Sequence, residues 1–494
     1  MPELSIFFGI VIAIYDNDEG IALMHGLMTF STHKLTAATL VMAAIVLAAP
    51  AGYATNYFSD PAGKMENNGT SPATPWASLQ TIFDAKPEKV FSAGDVIVAK
   101  AGFHGSLHLN SAAPHTGNVT IQADAKTTPM LASLTVDSPF WTVDGFDICG
   151  ENSGAGQYVQ GPTVHLKGGA SHVTVQNCLI RGAKSIDGWT ATEWNELPKQ
   201  TAVVSSGTHS MFSKNTIQNV RFGFAFEKGA TFSTFSRNAI REFHDDGMRG
   251  LADDCLFEYN TVMNSYGRDA NHDDCFQSWS IGKGPDGKNL SGASTIYRNT
   301  LRGNILVSHT DANQPLQDAP QGIGMFDGMY EGWVIENNVI SVSGTHWGIG
   351  ILGAVNCTVI NNTVVENAFS TGRIRPGITI TKHKAFGKGE TRDGVPWPPA
   401  STGNLIRNNI STIYTEPGEG TAFDHNLPAT KKALSAADYE ALFVDYAHAD
   451  FRLKKGSPAI DAGSTLGAPK TDAKETPRTA PYDIGAYEFV NDKP

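Results

Sequence analysis

Between residues 95 and 425 apolar and polar positions alternate in short runs, the period-two pattern of strands with one buried face. One set of such strands reads TVHLKGG, AVVSSG, GFAFEKG, GMRG, CFQSWS, GIGMFDG, GIGILGA and GITITKH. A second set carries a recurrent signature, a short apolar strand, a turn, and an asparagine before the next apolar pair. Its instances are VTVQNCLI, MFSKNTI, FSRNAI, CLFEYNTV, IYRNTL, WVIENNVI, CTVINNTV and LIRNNI. The asparagines are Asn177, Asn215, Asn238, Asn260, Asn299, Asn338, Asn362 and Asn409, at intervals of 38, 23, 22, 39, 39, 24 and 47. A spacing of about 22 to 24 residues matches one coil of a β-solenoid, and the longer intervals are coils with an inserted loop.

These repeats predict an all-β chain, a single-stranded right-handed parallel β-helix closed by N- and C-terminal caps. Stacked asparagines at an inward turn satisfy one another as a ladder, so Asn215, Asn238 and Asn260 are expected directly above one another. The expected organisation is an upstream segment with a signal peptide (1–54), an N-terminal cap (55–94), the coils with a groove (95–425) and a C-terminal cap (426–494). Insertions at 183–200, 280–293, 304–320 and 383–402 are expected to wall the groove.

Composition narrows the function. Fifty glycines and 17% charged residues suit short strands and many turns. The net charge of −12 argues against nucleic acid as a partner. From Met28 the chain has a basic residue (Lys34), an apolar run from Leu35 to Ala49, and small residues up to Ala54. That is the layout of a secretory signal peptide, so a secreted or periplasmic protein, free of the membrane after cleavage, is expected. A monomer is expected. Five cysteines cannot all pair; Cys178, Cys255 and Cys357 read as small buried hydrophobes, and Cys149 with Cys178 is the one candidate bridge.

The chemistry concentrates in two hexapeptides 28 residues apart, HDDGMR (His244–Arg249) and HDDCFQ (His272–Gln277). One coil apart, they bring His244, Asp245 and Asp246 next to His272, Asp273 and Asp274. Crowded carboxylates raise one another's proton affinity unless a cation binds or a proton is shared. Asp245, Asp246, Asp273 and Asp274 are therefore candidate metal ligands, with calcium as the expected ion. His244, Gln277, Trp279, His346, Trp347 and Arg375 are candidate substrate contacts, the tryptophans through stacking on sugar rings. The loop SYGRDANHDD adds Tyr266, Arg268 and Asp269.

The opening NYFSDPAGKMENNGTSPATPWASLQTI with FSAGDVIVAKAGFHGSLHL, and the closing DFRLKKGSPAIDAGS…PYDIGAYEF, resemble the caps of secreted pectate-lyase-like β-helix proteins. The segment DDGMR…NHDDCFQSW resembles the calcium-binding coil of pectate lyases, and YGRDANHDD resembles the Tyr…Asp-Pro-His-Asp motif of mannuronan C5-epimerases, without its proline. The resemblance implies action on a polysaccharide. Elimination at a uronate would use His272 as base, Arg249 or calcium on the acids as neutraliser, and Tyr266 as acid. Hydrolysis would use Asp246, Asp273 and Asp274. Epimerisation and non-catalytic carbohydrate binding are the further alternatives.

Overall fold

The computed structural model describes residues 54–490, except 86–90, 111–114, 116, 152–156, 197–200, 268–271, 285–286, 315, 343–346, 370–374, 384–390, 393–394, 397–400, 416–419 and 430–432. The signal peptide, Arg268, Asp269 and His346 lie outside the described residues. The chain winds as a right-handed parallel β-helix, the hand favoured when parallel strands are joined by crossovers. Its walls are three long sheets of 13, 11 and 11 strands, each pairing one coil with the next in parallel. The eight strands expected as one set all lie in a single 11-stranded sheet, which runs from Ser106–Leu109 to Ile413–Tyr414. We call it the site sheet.

Alternation explains the packing. In Val164–Leu166 the two apolar residues are buried and His165 between them faces out. Register extends this to whole columns: on the outer face His165, Val204, Ala225, Arg249, Gln277, Gly324, Gly350 and Thr379 follow one another coil by coil. One inner column runs Val164, Val203, Phe224, Met248 and Phe276, all buried. Coils so stacked sit about 4.8 Å apart.

The asparagine ladder is continuous from Asn215 through Asn238, Asn260, Asn304, Asn338, Asn362 and Asn409 to Asn426. Each side-chain amide donates to the next side-chain oxygen at 2.9–3.1 Å. Two expected members are corrected. A ladder residue directly follows a residue in the left-handed conformation: Lys214, Arg237 and Tyr259 have φ of 56°, 57° and 53°. In VTVQNCLI it is Asn177 that takes this conformation (φ 53°), so Cys178 occupies the inward position and its N–H donates to Asn215. Asn299 precedes a strand of the 13-stranded sheet and stands at another corner, where it accepts from the Cys255 N–H. Asn304, after Gly303 (φ 64°), takes its place.

All five cysteines are free and buried. The Cys149–Cys178 bridge is therefore not formed; the two thiols lie among packed strands, and burial pushes the proton affinity of Cys178 up to about 12. The C-terminal segment folds back along the flank of the coils. It meets the left-handed turn residues Asn337, Asn361 and Asn408, whose amides donate to the carbonyls of Thr471, Asp483 and Ser464. Arg478, buried, ties the segment together through Glu488 and Asn337.

The fully buried Asn260 side chain makes four hydrogen bonds, accepting from the Asn238 N–H and side-chain amide and donating to the Phe235 carbonyl and to Asn304, whereas Asn177 is an exposed turn residue. Asn260→Ala is expected to cost about 3 kcal/mol by urea unfolding, because it strands buried donors and acceptors. Asn177→Ala should cost only about 1 kcal/mol, the left-handed preference of asparagine over alanine. Equal losses would remove the ladder from the account of stability.

Candidate functional site

The two hexapeptides enter adjacent strands of the site sheet, Met248–Gly250 and Asp274–Trp279. Register sets Arg249 beside Gln277, and Asp246 accepts the Asp274 N–H at 3.0 Å. Each hexapeptide makes the same local bond: Arg249 Nε donates to Asp246 at 2.8 Å, and Gln277 Nε2 to Asp274 at 2.9 Å. The exchange of arginine for glutamine leaves the second acid without a guanidinium. Burial raises the proton affinity of both, but Arg249 opposes the rise at Asp246, while Asp274 goes up to about 7. Asp274 Oδ1 is buried with no hydrogen-bond partner among the described residues. It lies where a Cβ on Gly324 would stand, 2.2 Å away, so only glycine on the next coil makes room for this carboxyl.

The four acids do not share one centre. Asp245 is buried against Arg221 (Nε at 3.1 Å) and hydrogen-bonds to Nδ1 of His244. His244, fully buried, reaches Asn195 through Nε2 at 2.7 Å, and Arg221 donates to the Asn195 carbonyl. These contacts fasten the helical insertion Ala191–Glu196 to the sheet rather than lining a cleft. Asp273 is buried against the carboxyl of Asp318, and burial with that contact drives its proton affinity far above the usual carboxylate range. Asp318 in turn accepts from Ser265 Oγ at 3.1 Å. The donor set therefore does not fit a calcium centre: Asp245 and Asp246 are paired with arginines, and Asp273 faces Asp318. Among the described residues no group of three or more His, Cys, Asp or Glu side chains is disposed to hold a metal ion.

An open cleft of about 150 Å³ lies beside Asp274, lined by His272, Gln277, Ser278, Trp279, Ser291, Gly324, Phe326 and Asp327. The side chain of His272 is 65% exposed and its Nδ1 stands 3.6 Å from Asp274 Oδ2. The contact with Asp274 raises the basicity of the ring above its ordinary value. Arg249 is held between the rings of Phe222 (3.9 Å) and Trp279 (5.3 Å), a cation–π sandwich beneath the cleft edge. Ser291 comes from the antiparallel hairpin Ile281–Lys283 and Asn289–Ser291, the insertion expected as a wall.

Other expected site residues lie elsewhere. Tyr266 stacks on Trp194 at 5.2 Å within an apolar cluster that includes Trp189 and Leu316, and burial raises its proton affinity. Trp347 packs against Phe326, at 5.2 Å between ring centroids, one coil beyond the cleft. Arg375 is exposed, and its charge acts on the Tyr439 hydroxyl of the C-terminal segment. Arg221, Asn195, Asp318, Phe326, Asp327 and Ser291 were not expected from the sequence. Arg221 follows the strand at a spacing that repeats in His244, a signal available in principle; the others depend on insertions and on a register shift.

No protein-family model matches the chain, and no curated protein sequence does. Solved structures are similar to it in fold. The pectate lyase Pel9A aligns at 15% identity over 89% of this chain and 98% of its own, with a TM-score of 0.44. XylC, solved in complex with xylose, aligns at 9% identity over 88% and 98%, with a TM-score of 0.45. The Dettilon tailspike protein (gp208) aligns at 14% identity over 69% and 62%, with a TM-score of 0.45.

Proposed function

We propose that the protein is an enzyme that cleaves a carbohydrate polymer outside the cytoplasm, by β-elimination at a uronate residue held in the His272 cleft. The observation that carries the reading is the His272–Asp274 pair: an imidazole open to the cleft on one side and backed by a buried carboxyl on the other. Such a carboxyl orients the ring and stabilises the protonated form that a general base becomes. His272 takes the proton from the carbon that bears the uronate carboxylate. The electron pair forms the new carbon–carbon double bond, and the bond to the glycosidic oxygen breaks. The proton on His272 then passes to the leaving oxygen, so the histidine ends as it began. Gln277 in the cleft, with Arg249 beside it in register, supplies donors for the carboxylate on which charge develops. Trp279 offers a ring face to the apolar side of a sugar.

Hydrolysis is the second reading. It draws on Asp274, whose proton affinity near 7 suits a general acid, and on Asp327, a half-buried carboxylate lining the same cleft.

The deciding experiment incubates the purified protein with alginate, polygalacturonate, glucuronan and neutral glucans, in EDTA, and follows unsaturated uronate absorbance and reducing ends in parallel. Elimination produces both signals; reducing ends alone would replace elimination by hydrolysis. His272→Ala should lower kcat by about 10²- to 10⁴-fold, the range of a general base, with the fold intact. Near-normal turnover in that variant would remove the site assignment.

The buried pair also sets pH behaviour. His272 acts only when neutral, so activity rises with pH through a value above the ordinary 6.5 of histidine. Asp274→Asn removes the principal cause of that elevation, and the acidic limb of kcat/KM should move to lower pH as kcat falls. An unmoved limb would show that Asp274 does not govern the base. Stability should shift as well. Native Asp274 and His272 both hold protons more tightly than their ordinary values, so from the ordinary 3.8 of aspartate up through about 7 the folded state binds more protons and loses stability as pH rises. Asp274→Asn should flatten the fall in Tm over that interval.

A further inference from the structure

The site sheet departs from regular register twice, and both departures carry an aromatic side chain. Between the strands Asp274–Trp279 and Gln321–Asp327 the pairing slips at Trp279, which meets Asp327, and Phe326 becomes the extra residue. Between Trp347–Leu352 and Gly377–Thr381 it slips again after Trp347. Bulges of this kind re-aim a side chain. Here both rings are aimed at the same bare column. A Cβ on Gly324 would stand 2.9 Å from the Phe326 ring, and a Cβ on Gly350 would stand 2.7 Å from Phe326 and 2.8 Å from Trp347. Neither glycine has a positive φ, so it is space for the rings and for the Asp274 carboxyl, not backbone geometry, that requires them.

The outcome is a ledge of two half-buried rings, 5.2 Å apart and inclined at 52°, lying along the axis beyond Gln277. Phe326 belongs to the cleft wall as well, so ledge and cleft are continuous. Gln277, Gly324 and Gly350 occupy successive coils, and two coil steps span about 10 Å, the length of about two sugar residues.

We propose that Phe326 and Trp347, seated on Gly324 and Gly350, form a stacking subsite for a sugar about two residues from the bond cleaved at His272. The proposal rests on the carbohydrate reading above and names the part of the polymer bound. That sugar presents an apolar face of axial C–H bonds to the rings. The polymer therefore lies along the helix axis, towards the C-terminal coils. Phe326 and Trp347 select chain length and ring stereochemistry; they are not catalytic residues.

The test uses the full-length protein with dimers and hexamers prepared from alginate, polygalacturonate, glucuronan and cellulose. Binding to the inactive His272→Ala protein is read by calorimetry, and turnover by the wild-type site in parallel. Phe326→Ala and Trp347→Ala should each raise hexamer Kd and KM about tenfold, the scale of one lost aromatic contact. For Trp347→Ala, which lies outside the cleft lining, hexamer kcat and all dimer constants should stay within about twofold of wild type. Trp347→Phe should restore most of the hexamer affinity, and Gly350→Ala, which displaces both rings without removing either, should weaken it. Unchanged thermal midpoints confirm that the variants fold. Hexamer constants equal to wild type, or equal losses for dimer and hexamer, would overturn the ledge while leaving the His272 site standing. Failure of every glycan to bind the wild-type protein would overturn both.

Discussion

Parallel hydrogen bonding between successive coils is the constraint on which everything else in this protein depends. Once one coil pairs with the next, residues far apart in sequence become neighbours in columns, and a column repeats whatever chemistry the sequence places in it. The asparagine ladder protects that pairing where it is most exposed to slippage, at the turn between two sheets. Each asparagine satisfies a backbone N–H of the preceding coil and a side chain of its own column, as Asn238 does for Asn215. A buried amide left without its partner costs more than a formed bond contributes, so a register slip would strand the whole column at once.

The same stacking creates an electrostatic problem and largely solves it. Two HDD segments on adjacent coils bring acids together in an environment that disfavours charge. Arg221 and Arg249 neutralise the first coil, and on the second burial and the neighbouring Asp318 raise the proton affinity of Asp273. Asp274 is the acid left with a glutamine, a histidine and one unpaired oxygen. Burial is the main cause of its proton affinity near neutrality, with the charge of Asp246 adding to the rise and His272 and Gln277 opposing it, whereas at Asp246 it is Arg249 that opposes the rise. The cleft forms beside this least compensated acid.

Insertions then divide the residues near the acids between support and access. The helix Ala191–Glu196 takes His244 and Arg221 into its anchorage and buries Trp194 against Tyr266. The hairpin of Ile281–Lys283 and Asn289–Ser291 instead brings Ser291 to the cleft that His272 and Gln277 line. Identical hexapeptide positions, His244 and His272, thus end in opposite roles, one fully buried and one mostly exposed.

The sequence by itself determined the repeat, the strand set of the site sheet, the core of the ladder and the adjacency of the two hexapeptides. Period-two burial and coil-length spacing are local properties that survive into the fold. It could not separate Asn299 from Asn304, because both sit in near-identical turn-and-strand contexts and only the count of residues around the coil tells which corner each reaches. Nor could it show that the acids have separate partners, since Asn195 and Asp318 arrive on insertions whose docking is set by packing and not by periodicity. Phe326, Asp327 and the ledge with Trp347 depend on register shifts of one residue, which leave the hydrophobic pattern almost unchanged yet turn a side chain to a new neighbour. Those placements were decided only when the coils packed against one another.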